Sequence, residues 1–336
     1  MTIHCVWRGF NVKVLDKTVS QLTIPTPYAV GDALVYLLKG DTLSLVDTGV
    51  KTKEAWEALK TQLREIGYYP QDIEQIILTH HHVDHIGLVG EFPRVEHIVA
   101  HENLHSWLTK DETFFQNYMD FFKKFFADCG VPKDFYFIID QLQKMFTLGG
   151  DGELTASLCD GDTLPGHEEW KVIETKGHAQ SHLSFLRAND GAFIGGDHIL
   201  QHISSNPLLE PPKMGENIRP KPLLQYRANL KKCLSLGIDV VLPGHGGLVT
   251  NIAELIPARL AKQEKRANKV LALLEENKTL TPFQVCQKLF PTKYQSQLDL
   301  TLSETIGQLD YLEAKGLVAK EINDNVFSYY VTECKE

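Results

Sequence analysis

Cysteine is scarce and scattered in this sequence. The 336 residues include six cysteines and no C-x-x-C pair. They are Cys5, Cys129, Cys159, Cys233, Cys286 and Cys334. Paired spacings mark thiolate metal sites and disulfide frameworks, and none is present here. We therefore expect a protein of a reducing compartment whose chemistry does not use cysteine.

Long apolar runs and an excess of positive charge are also lacking. No stretch approaches the ~20 apolar residues that a membrane span requires. The start, Met1 to Arg8, lacks a basic region followed by a long apolar core. We therefore expect a cytoplasmic protein without membrane association. The net charge of -9 argues against a nucleic-acid surface over the whole molecule, although it is compatible with a local basic groove.

The apolar content, by contrast, is sufficient for a large core. Hydrophobic residues make up 43% of the 336 positions. Length alone suggests two domains, one of them dominant. We place the dominant domain at residues 1–256 and the smaller one at residues 257–336. Strands and helices alternate in the first hundred residues, with an amphipathic helix predicted from Lys53 to Ile66, which indicates an α/β fold.

The densest chemical information lies in one run, Thr79-His80-His81-His82-Val83-Asp84-His85. It follows an apolar run typical of a buried strand. If the backbone stays extended past that strand, His80 and His82 point the same way and can share one metal ion. Asp84 and His85 lie where the chain turns into a helix, and they suit a second ion. An ordinary solvated loop is the alternative, but only 14 residues are histidine, so chance explains this spacing poorly.

Four further strands lead into a glycine-containing turn that carries a single His or Asp. These polar residues are Asp47, His178, Asp197 and His245. Glycine lets the backbone turn sharply, so that the polar side chain points back over the sheet edge. Each of them alone is most often a loop residue, and Asp47 could equally cap the helix that follows it. Together with the histidine cluster, they predict one shared metal site.

The ordered series of these residues resembles the metallo-β-lactamase superfamily of binuclear hydrolases. The match covers roughly residues 10 to 250. The resemblance implies an α/β, four-layer αβ/βα sandwich, with two mixed sheets face to face and helices outside. The metal site would lie at one edge of the sheets, where the polar loops converge.

The resemblance also implies a division of the ligands between two ions. The first ion would be bound by His80, His82 and His178 and the second by Asp84, His85 and His245, with Asp197 bridging both. Asp47 corresponds to the family's supporting carboxylate and is better assigned behind the metals than on one of them. His81 is not a ligand in that pattern. Asp84 and Asp47 are our candidate catalytic residues.

The predicted ligand types limit the choice of metal ion but do not identify it. Five imidazoles and two carboxylates, with no thiolate, suit Zn²⁺, our first expectation, and also Fe²⁺ or Mn²⁺. Two such ions about 3.5–4 Å apart lower the pKa of a bridging water, giving a hydroxide that attacks carbon or phosphorus. Four other residues are candidates for substrate contact or for structural support, and the sequence does not choose between these roles. They are His182, His198, His202 and Tyr226.

A helical insertion of unusual aromatic density extends from about His105 to Phe146. Two adjacent stripes at helical spacing cover well over half of its circumference. They are Phe114, Tyr118, Phe121 and Phe125, and Phe115, Met119, Phe122 and Phe126. A surface helix needs one apolar stripe of roughly 100°. The surplus therefore predicts a second packing surface, within the insertion or across a homodimer, or else a lid over an apolar part of the substrate.

The C-terminal residues predict three helices and a hairpin, an order that resembles a winged helix. The helices are placed at about Pro257 to Glu276, Pro282 to Phe290 and Leu302 to Lys315, and the hairpin surrounds Asn323-Asp324-Asn325. The third helix would be the DNA reader. It carries Glu304, Asp310 and Glu313 against Lys315 alone, so we favour a structural or dimerising role over duplex DNA binding.

These features lead to one functional hypothesis with alternatives. We expect a hydrolase that uses a metal-bridging hydroxide on a small-molecule ester, thioester or lactone. A metal-dependent endoribonuclease or phosphodiesterase is the main alternative, and a non-turnover metal-binding or redox member is the minor one. His82 stands where oxygen-reducing diiron relatives tend to carry Glu, which disfavours redox chemistry. The loop Thr175 to His182 lacks the prolines common in the family, which weakens any transfer of a substrate from relatives.

Overall fold

Two β-sheets lie face to face in this computed structural model, which describes residues 12–332. In that range the first sheet has seven strands, arranged in sequence order. They are β1 Lys13–Val14, β2 Val19–Ile24, β3 Ala33–Lys39, β4 Leu43–Val46, β5 Gln75–Ile77, β6 His97–Ala100 and β7 Ala156–Ser157. Strands β1 to β4 pair antiparallel, and β4 to β7 pair parallel. A predicted first strand, Asn11 to Leu15, begins outside the described residues.

The second sheet has five strands within the described range, in the order β12-β11-β10-β9-β8. They are β8 Thr163–Leu164, β9 His167–Glu174, β10 Leu183–Arg187, β11 Ala192–Gly196 and β12 Val240–Pro243. Strands β11 and β12 are parallel, and the other pairs are antiparallel. Both sheets are therefore mixed, as predicted.

Alternating side chains on β3 show how the layers are built. Leu34, Tyr36 and Leu38 point into the core between the two sheets, while Val35 and Leu37 belong to the apolar cluster on the outer face of the first sheet. Successive side chains of a strand point to opposite faces, so a strand that is apolar throughout can support two cores. The predicted four-layer sandwich is confirmed.

Helices cover the outer faces of both sheets. Within the described residues, the α-helices in chain order are α1 Lys53–Glu65, α2 Val83–Ile86, α3 His105–Leu108, α4 Glu112–Asp128, α5 Phe137–Phe146, α6 Pro222–Cys233, α7 Ile252–Asn277, α8 Pro282–Leu289 and α9 Leu298–Ala314. The apolar face of α1, which includes Leu59 and Leu63, packs on the first sheet. On the second sheet, Tyr226 and Leu230 of α6 pack against Phe193. None of the helices in residues 12–332 has both the length and the apolar character to cross a membrane.

The C-terminal region contains helices α7, α8 and α9 and a small sheet in the order β13-β15-β14. Its strands are β13 Thr279–Leu280, β14 Val318–Asn323 and β15 Val326–Val331. Helix α7 begins at Ile252, so the predicted start at Pro257 is wrong: Pro257 lies inside the helix, early enough to cost it few hydrogen bonds. The predicted boundary at residues 256/257 therefore falls within a continuous helix. The winged-helix interpretation stays a prediction.

Helix α9, which would be the DNA reader of a winged helix, is mostly buried against α6, α7 and α8. Four charged residues in the helix or next to it form ion pairs inside the chain. These pairs are Arg266–Glu304, Arg219–Asp310, Lys221–Glu313 and, just beyond the helix, Lys315–Glu264. The acidic groups that argued against DNA binding thus hold α9 in place, which supports a structural role.

The aromatic surplus of the insertion is packed within the chain. Around Trp107 of α3, the rings of Phe114, Phe115, Tyr118 and Phe146 stand edge-on at 5.0–5.5 Å between centroids. Farther along α4, Phe125 meets Phe327 of β15 at 6.3 Å. A second packing surface is therefore present. Part of it faces the C-terminal hairpin, a partner that the sequence did not predict.

Candidate metal centre

The ends of five strands bring the predicted ligands to one edge of the sandwich. Asp47 follows β4 and His80 follows β5, while Asp197 follows β11. His178 and His245 lie just beyond β9 and β12. Because parallel neighbours end at the same edge, the pairs β4/β5 and β11/β12 place their polar loops side by side.

The histidine motif turns into helix α2 directly after His82, as the sequence predicted. His82 has an extended backbone and is the N-cap of α2, and its carbonyl accepts hydrogen bonds from the amides of His85 and Ile86. This turn leaves His80 and His82 before the helix and places Asp84 and His85 within it. His80 Nε2 and His82 Nδ1 lie 3.0 Å apart.

All seven predicted ligands come together. Their ligand atoms form three overlapping groups, within each of which every atom lies within 4.8 Å of the others. The groups are His80, His82 and His178; His80, His85 and Asp197; and Asp84, His85 and His245. The first and third groups match the two triads implied by the family resemblance, and Asp197 lies between them.

Hydrogen bonds on the far side of four imidazoles aim their Nε2 atoms into this cluster. Each Nδ1 has an acceptor within 2.8–2.9 Å. The pairs are His80 with Thr79 Oγ1, His85 with Asp47 Oδ2, His178 with the Asn206 carbonyl, and His245 with the Asp32 carbonyl. An imidazole that donates from Nδ1 keeps a lone pair on Nε2 for a metal.

Several atoms that face the cluster are buried and have no hydrogen-bond partner within residues 12–332. They are the Nε2 atoms of His85, His178 and His245 and Oδ1 of Asp197. Buried polar atoms are normally satisfied, so a group of orphans in one place needs an explanation. A bound cation would supply the partner that all four lack.

The spacing of these atoms also fits bound ions. Two ligand atoms of a tetrahedral zinc ion lie roughly 3.3 Å apart, given bonds of 2.0–2.2 Å. Asp197 Oδ1 lies 3.5 Å from His85 Nε2. Asp197 Oδ2 lies 3.5 Å from His178 Nε2 and 3.6 Å from His245 Nε2. His245 Nε2 lies 3.3 Å from Asp84 Oδ2. These separations are long for hydrogen bonds but suit donors that share an ion.

Burial and neighbouring charges set the protonation of the cluster. Burial lowers the pKa of His80 well below its usual value, and nearby imidazoles lower it further. Burial would raise the pKa of Asp197, but His245 and His85 outweigh it and hold this pKa well below the usual range. For His85 and His245, burial lowers the pKa, but the neighbouring carboxylates, Asp197 foremost, outweigh it and raise it. Divalent metals bind neutral imidazole and ionised carboxylate, so metal binding would release protons from these two rings.

Asp47 lies behind the cluster rather than in it. Its Oδ1 accepts a hydrogen bond from the Thr79 amide, and its Oδ2 accepts from the Thr79 hydroxyl and from His85 Nδ1, each at 2.8 Å. We therefore expect Asp47 to act through His85, as a positioning residue. Asp84, the other candidate catalytic residue, faces the cluster directly.

Gly244 provides the space in which Asp197 and His85 approach each other. A Cβ atom at this position would lie 2.3 Å from Asp197 Oδ1 and 2.8 Å from His85 Cε1. Only glycine fits at that distance. The residue before His245 is thus fixed by the packing of the cluster.

The fourth histidine of the motif, His81, connects the cluster to the insertion. Its ring stacks face to face on Trp107, with centroids 4.0 Å apart and planes 13° from parallel. Its Nδ1 lies 2.8 Å from Ser181 Oγ. The insertion therefore reaches the metal-ligand motif through one aromatic contact.

The four candidates for substrate contact occupy supporting or peripheral positions. The buried His182 accepts a hydrogen bond at Nε2 from the Asp197 amide at 3.1 Å. The buried His198 packs edge-on against Tyr226, whose hydroxyl donates to the His198 carbonyl at 3.1 Å. His202 is exposed. Three of the four therefore support the loops that carry the ligands.

Several contributors to the site were not predicted from the sequence. Thr79 bridges Asp47 and His80, and Ser181 fixes His81. Asp32 and Asn206 contribute only backbone carbonyls. Thr79 could have been found as the hydroxyl residue next to the motif, but a backbone acceptor leaves no signal in residue type.

Comparison with known proteins identifies the family. The model of the metallo-β-lactamase superfamily matches residues 28–245, about two thirds of the chain. The chain belongs to this superfamily. A curated relative, the probable metallo-hydrolase YqjP of Bacillus subtilis, is 41% identical over 89% of this chain and 93% of its own length. This superfamily member is therefore a metallo-hydrolase with His and Asp groups suited to divalent metals.

Solved structures agree with the fold over nearly the whole chain. The metallo-β-lactamase family protein TTHA1429 from Thermus thermophilus has a TM-score of 0.79 and 28% identity, covering 95% of this chain and 100% of its own. Shorter matches include the N-acyl homoserine lactonase AttM of Azorhizobium caulinodans, 28% identical over 48% of this chain and 65% of its own length. The atrochrysone carboxyl ACP thioesterase of Aspergillus fumigatus is 26% identical over 31% of this chain and 29% of its own.

Proposed function

We propose that this chain is a binuclear metal-dependent hydrolase of a small-molecule carboxylic ester, thioester or lactone. The observation that carries the proposal is the set of four buried, unpartnered ligand atoms on His85, His178, His245 and Asp197 that meet in one place. His80, His82 and His178 would bind one ion, Asp84, His85 and His245 the other, and Asp197 both. When bound, the two cations would activate a water molecule and stabilise the negative charge that develops in the reaction. Zn²⁺ is our first expectation, ahead of Fe²⁺ or Mn²⁺.

The chain's own residues prepare the site for this chemistry. The Nδ1 hydrogen bonds hold four imidazoles in one tautomer and one orientation, so little reorganisation accompanies the reaction. Burial of the ligands excludes bulk water and strengthens electrostatic interactions. Of the two candidate catalytic carboxylates, Asp84 is the one placed to contact the reacting atoms, since Asp47 contacts only Thr79 and His85 among the site residues.

The preference for carboxylic esters over phosphodiesters rests on three observations. The partial relatives named above include a lactonase and a thioesterase, both of which cleave an acyl bond. The aromatic group around Trp107 lies next to the motif through His81 and suits an apolar acyl part of a substrate. The net charge of -9 disfavours polyanionic substrates.

Replacing the shared carboxylate tests the function. We expect the zinc-loaded wild type to hydrolyse members of a panel of esters, thioesters and lactones, and Asp197→Asn to lose more than about 100-fold in kcat/KM, since even indirect ligand supports cost 10–100-fold. The control is Asp239→Asn, the same change at an exposed position just before β12, which should keep full activity. Circular dichroism checks that both variants are folded.

The same panel separates the alternatives. A metal-loaded wild type that cleaves only a phosphodiester or a labelled single-stranded RNA would replace the proposal with the nuclease. No turnover of any member would favour a metal-binding role without hydrolysis. Full activity in folded Asp197→Asn would contradict the assignment of this ligand.

A further inference from the structure

The segment of residues 205–210, which we call the strap, contacts the loops of two predicted ligands. The hydroxyl of Ser205 donates a hydrogen bond to the backbone carbonyl of Asp197. The carbonyl of Asn206 accepts from His178 Nδ1 at 2.9 Å, and the amide of Leu208 donates to the His178 carbonyl at 3.4 Å. The strap therefore touches both Asp197 and His178, on the side away from the ligand atoms.

A further contact extends this support along the loop of His178. The amide of Gln180 donates to a carboxylate oxygen of Glu210, with a separation of 2.7 Å. Burial raises the pKa of Glu210 to about 7. The strap thus binds the loop at residues 178 and 180, on both sides of Ala179.

The strap is in turn attached to helix α9. The side-chain amide of Asn206 donates to the Leu300 carbonyl at 3.1 Å, and the amide of Leu209 donates to Ser303 Oγ at 3.3 Å. The buried side chain of Leu209 belongs to the same apolar cluster as Ile306 of α9. Two hydrogen bonds therefore fix the strap to the first two turns of α9, and Leu209 lies in the apolar cluster that α9 shares.

Helix α7 holds the residues that lead into the strap. The guanidinium of Arg259, only 5% exposed, donates to the carbonyls of Leu200 and of Ile203, the latter at 2.8 Å. The chain between Asp197 and the strap is thus attached to the C-terminal region as well.

The strap has no regular secondary structure of its own. The position of such a segment depends on the side-chain and tertiary bonds that it makes. We propose that α9 positions the metal ligands His178 and Asp197 through the strap, which makes Asn206 and Ser303 positioning residues of the metal centre. This inference rests on the proposed metal site and gives the C-terminal region a role in metal binding.

A purely structural role for these contacts would have a different signature. If α9 only stabilised the fold, loss of a strap contact would lower the free energy of unfolding and leave the metal affinity of the folded protein unchanged. If α9 positions the ligands, the metal affinity itself falls, because His178 is held less firmly. Metal binding therefore separates the two roles.

The decisive variant is Asn206→Ala. It keeps the backbone carbonyl that His178 uses and removes only the amide that reaches α9. We expect the Zn²⁺ affinity, measured by competition with a chelating dye, to fall about 10-fold or more, the range seen for outer ligand supports. The visible absorption spectrum of the Co²⁺-substituted protein should change as well, because it reports ligand geometry. Ser303→Ala, which removes the other attachment, should act in the same direction.

A matched control is Asn277→Ala. The side-chain amide of Asn277 also donates to a helix carbonyl of the C-terminal region, that of Leu273 at 2.8 Å, but makes no contact with the strap. The Asn277→Ala change should therefore leave the Zn²⁺ affinity and the Co²⁺ spectrum unchanged.

The outcomes are distinct from those that test the proposed function. Wild-type Zn²⁺ affinity and Co²⁺ spectrum in a folded Asn206→Ala variant would overturn the positioning role, as would an equal loss in Asn277→Ala. If Asn206→Ala does not fold, Ser303→Ala decides by the same two measurements. Failure of the proposed function appears instead in the wild type, as lack of hydrolysis or of a second bound metal.

Discussion

Asp47 has a strained backbone conformation, and its carboxylate accepts three hydrogen bonds. Its φ of 60° lies in the left-handed region, which is costly for most side chains and least so for Asn and Asp. In return, the side chain accepts from both donors of Thr79 and from His85. Strain at a residue that orients a metal ligand is typical of a functional site.

Asp47→Asn removes the charge while keeping the size and the tolerance for this backbone. The NH₂ group of the new asparagine would then face a hydrogen-bond donor instead of accepting from it. His85 should therefore be held less firmly in its orientation. We expect Zn²⁺ affinity to fall about 10–100-fold, measured by dye competition. The control is Asp324→Asn, the same change at another residue of positive φ, 50°, in the β14–β15 turn. Equal Zn²⁺ affinities in both variants would show that Asp47 does not support the metal centre.

Some residues of the site could be predicted from the sequence, and others could not. His80, His82 and Asp84 were predicted together, because residue type and spacing alone define a metal-ligand motif. The carbonyls of Asp32 and Asn206 were not predicted, because any residue could supply them. Distance along the chain adds to the difficulty, since Asp32 and its partner His245 are brought together only by the folded sheets.

At the scale of elements, α9 shows a helix fixed by one largely buried ion pair. Asp310 is 2% exposed and accepts two hydrogen bonds from the Arg219 guanidinium, at 2.7 and 2.8 Å. Arg219 lies on the segment that joins the strap to α6. The planar fork of arginine matches a carboxylate, so this pair fixes both position and direction.

Asp310→Asn should destabilise the protein by roughly 3 kcal/mol, because it leaves a largely buried guanidinium without its counter-charge. Urea unfolding followed by circular dichroism measures the change. Glu102→Gln breaks the exposed pair with Lys213 and should leave the unfolding midpoint unchanged, since exposed pairs contribute little. An equally small effect of both changes would mean that the Arg219–Asp310 pair does not hold α9.

Elements were predicted well where a local pattern defines them and poorly where packing decides. The 3.6-residue periodicity gave α1 within one residue of its observed end. The start of α7 was placed at about Pro257, whereas the helix begins at Ile252 and accommodates the proline inside it. The surplus aromatic surface of α4 was recognised, but its partner Phe327 lies about two hundred positions away and could not be inferred from spacing.

The whole molecule brings together ligands from widely separated parts of the chain. His80 and His245 lie at the two ends of the ligand series, and both sheets contribute loops to the centre. A cation bound there links the first sheet to the second and binds the folded state only. We therefore expect metal binding to be coupled to folding.

Removal of metal should consequently lower the thermal stability of the wild type. At a free Zn²⁺ concentration of 100 times Kd, the loss is about 2.7 kcal/mol, visible as a lower Tm in calorimetry after treatment with a chelator. Readdition of Zn²⁺ should restore the original Tm. Asp197→Asn should respond much less to the same treatment. A wild-type Tm that is independent of chelator would argue against a metal centre that joins the two sheets.

The attachment of the strap to α9 has a consequence during synthesis. The seventh predicted ligand, His245, leaves the ribosome before α9, which begins only at Leu298. A nascent chain can thus expose every donor atom before the helix that steadies two of them has been translated. Full loading with metal should therefore be a late, post-translational event, and premature termination before α9 would yield chains that carry all the donors but hold their ions weakly.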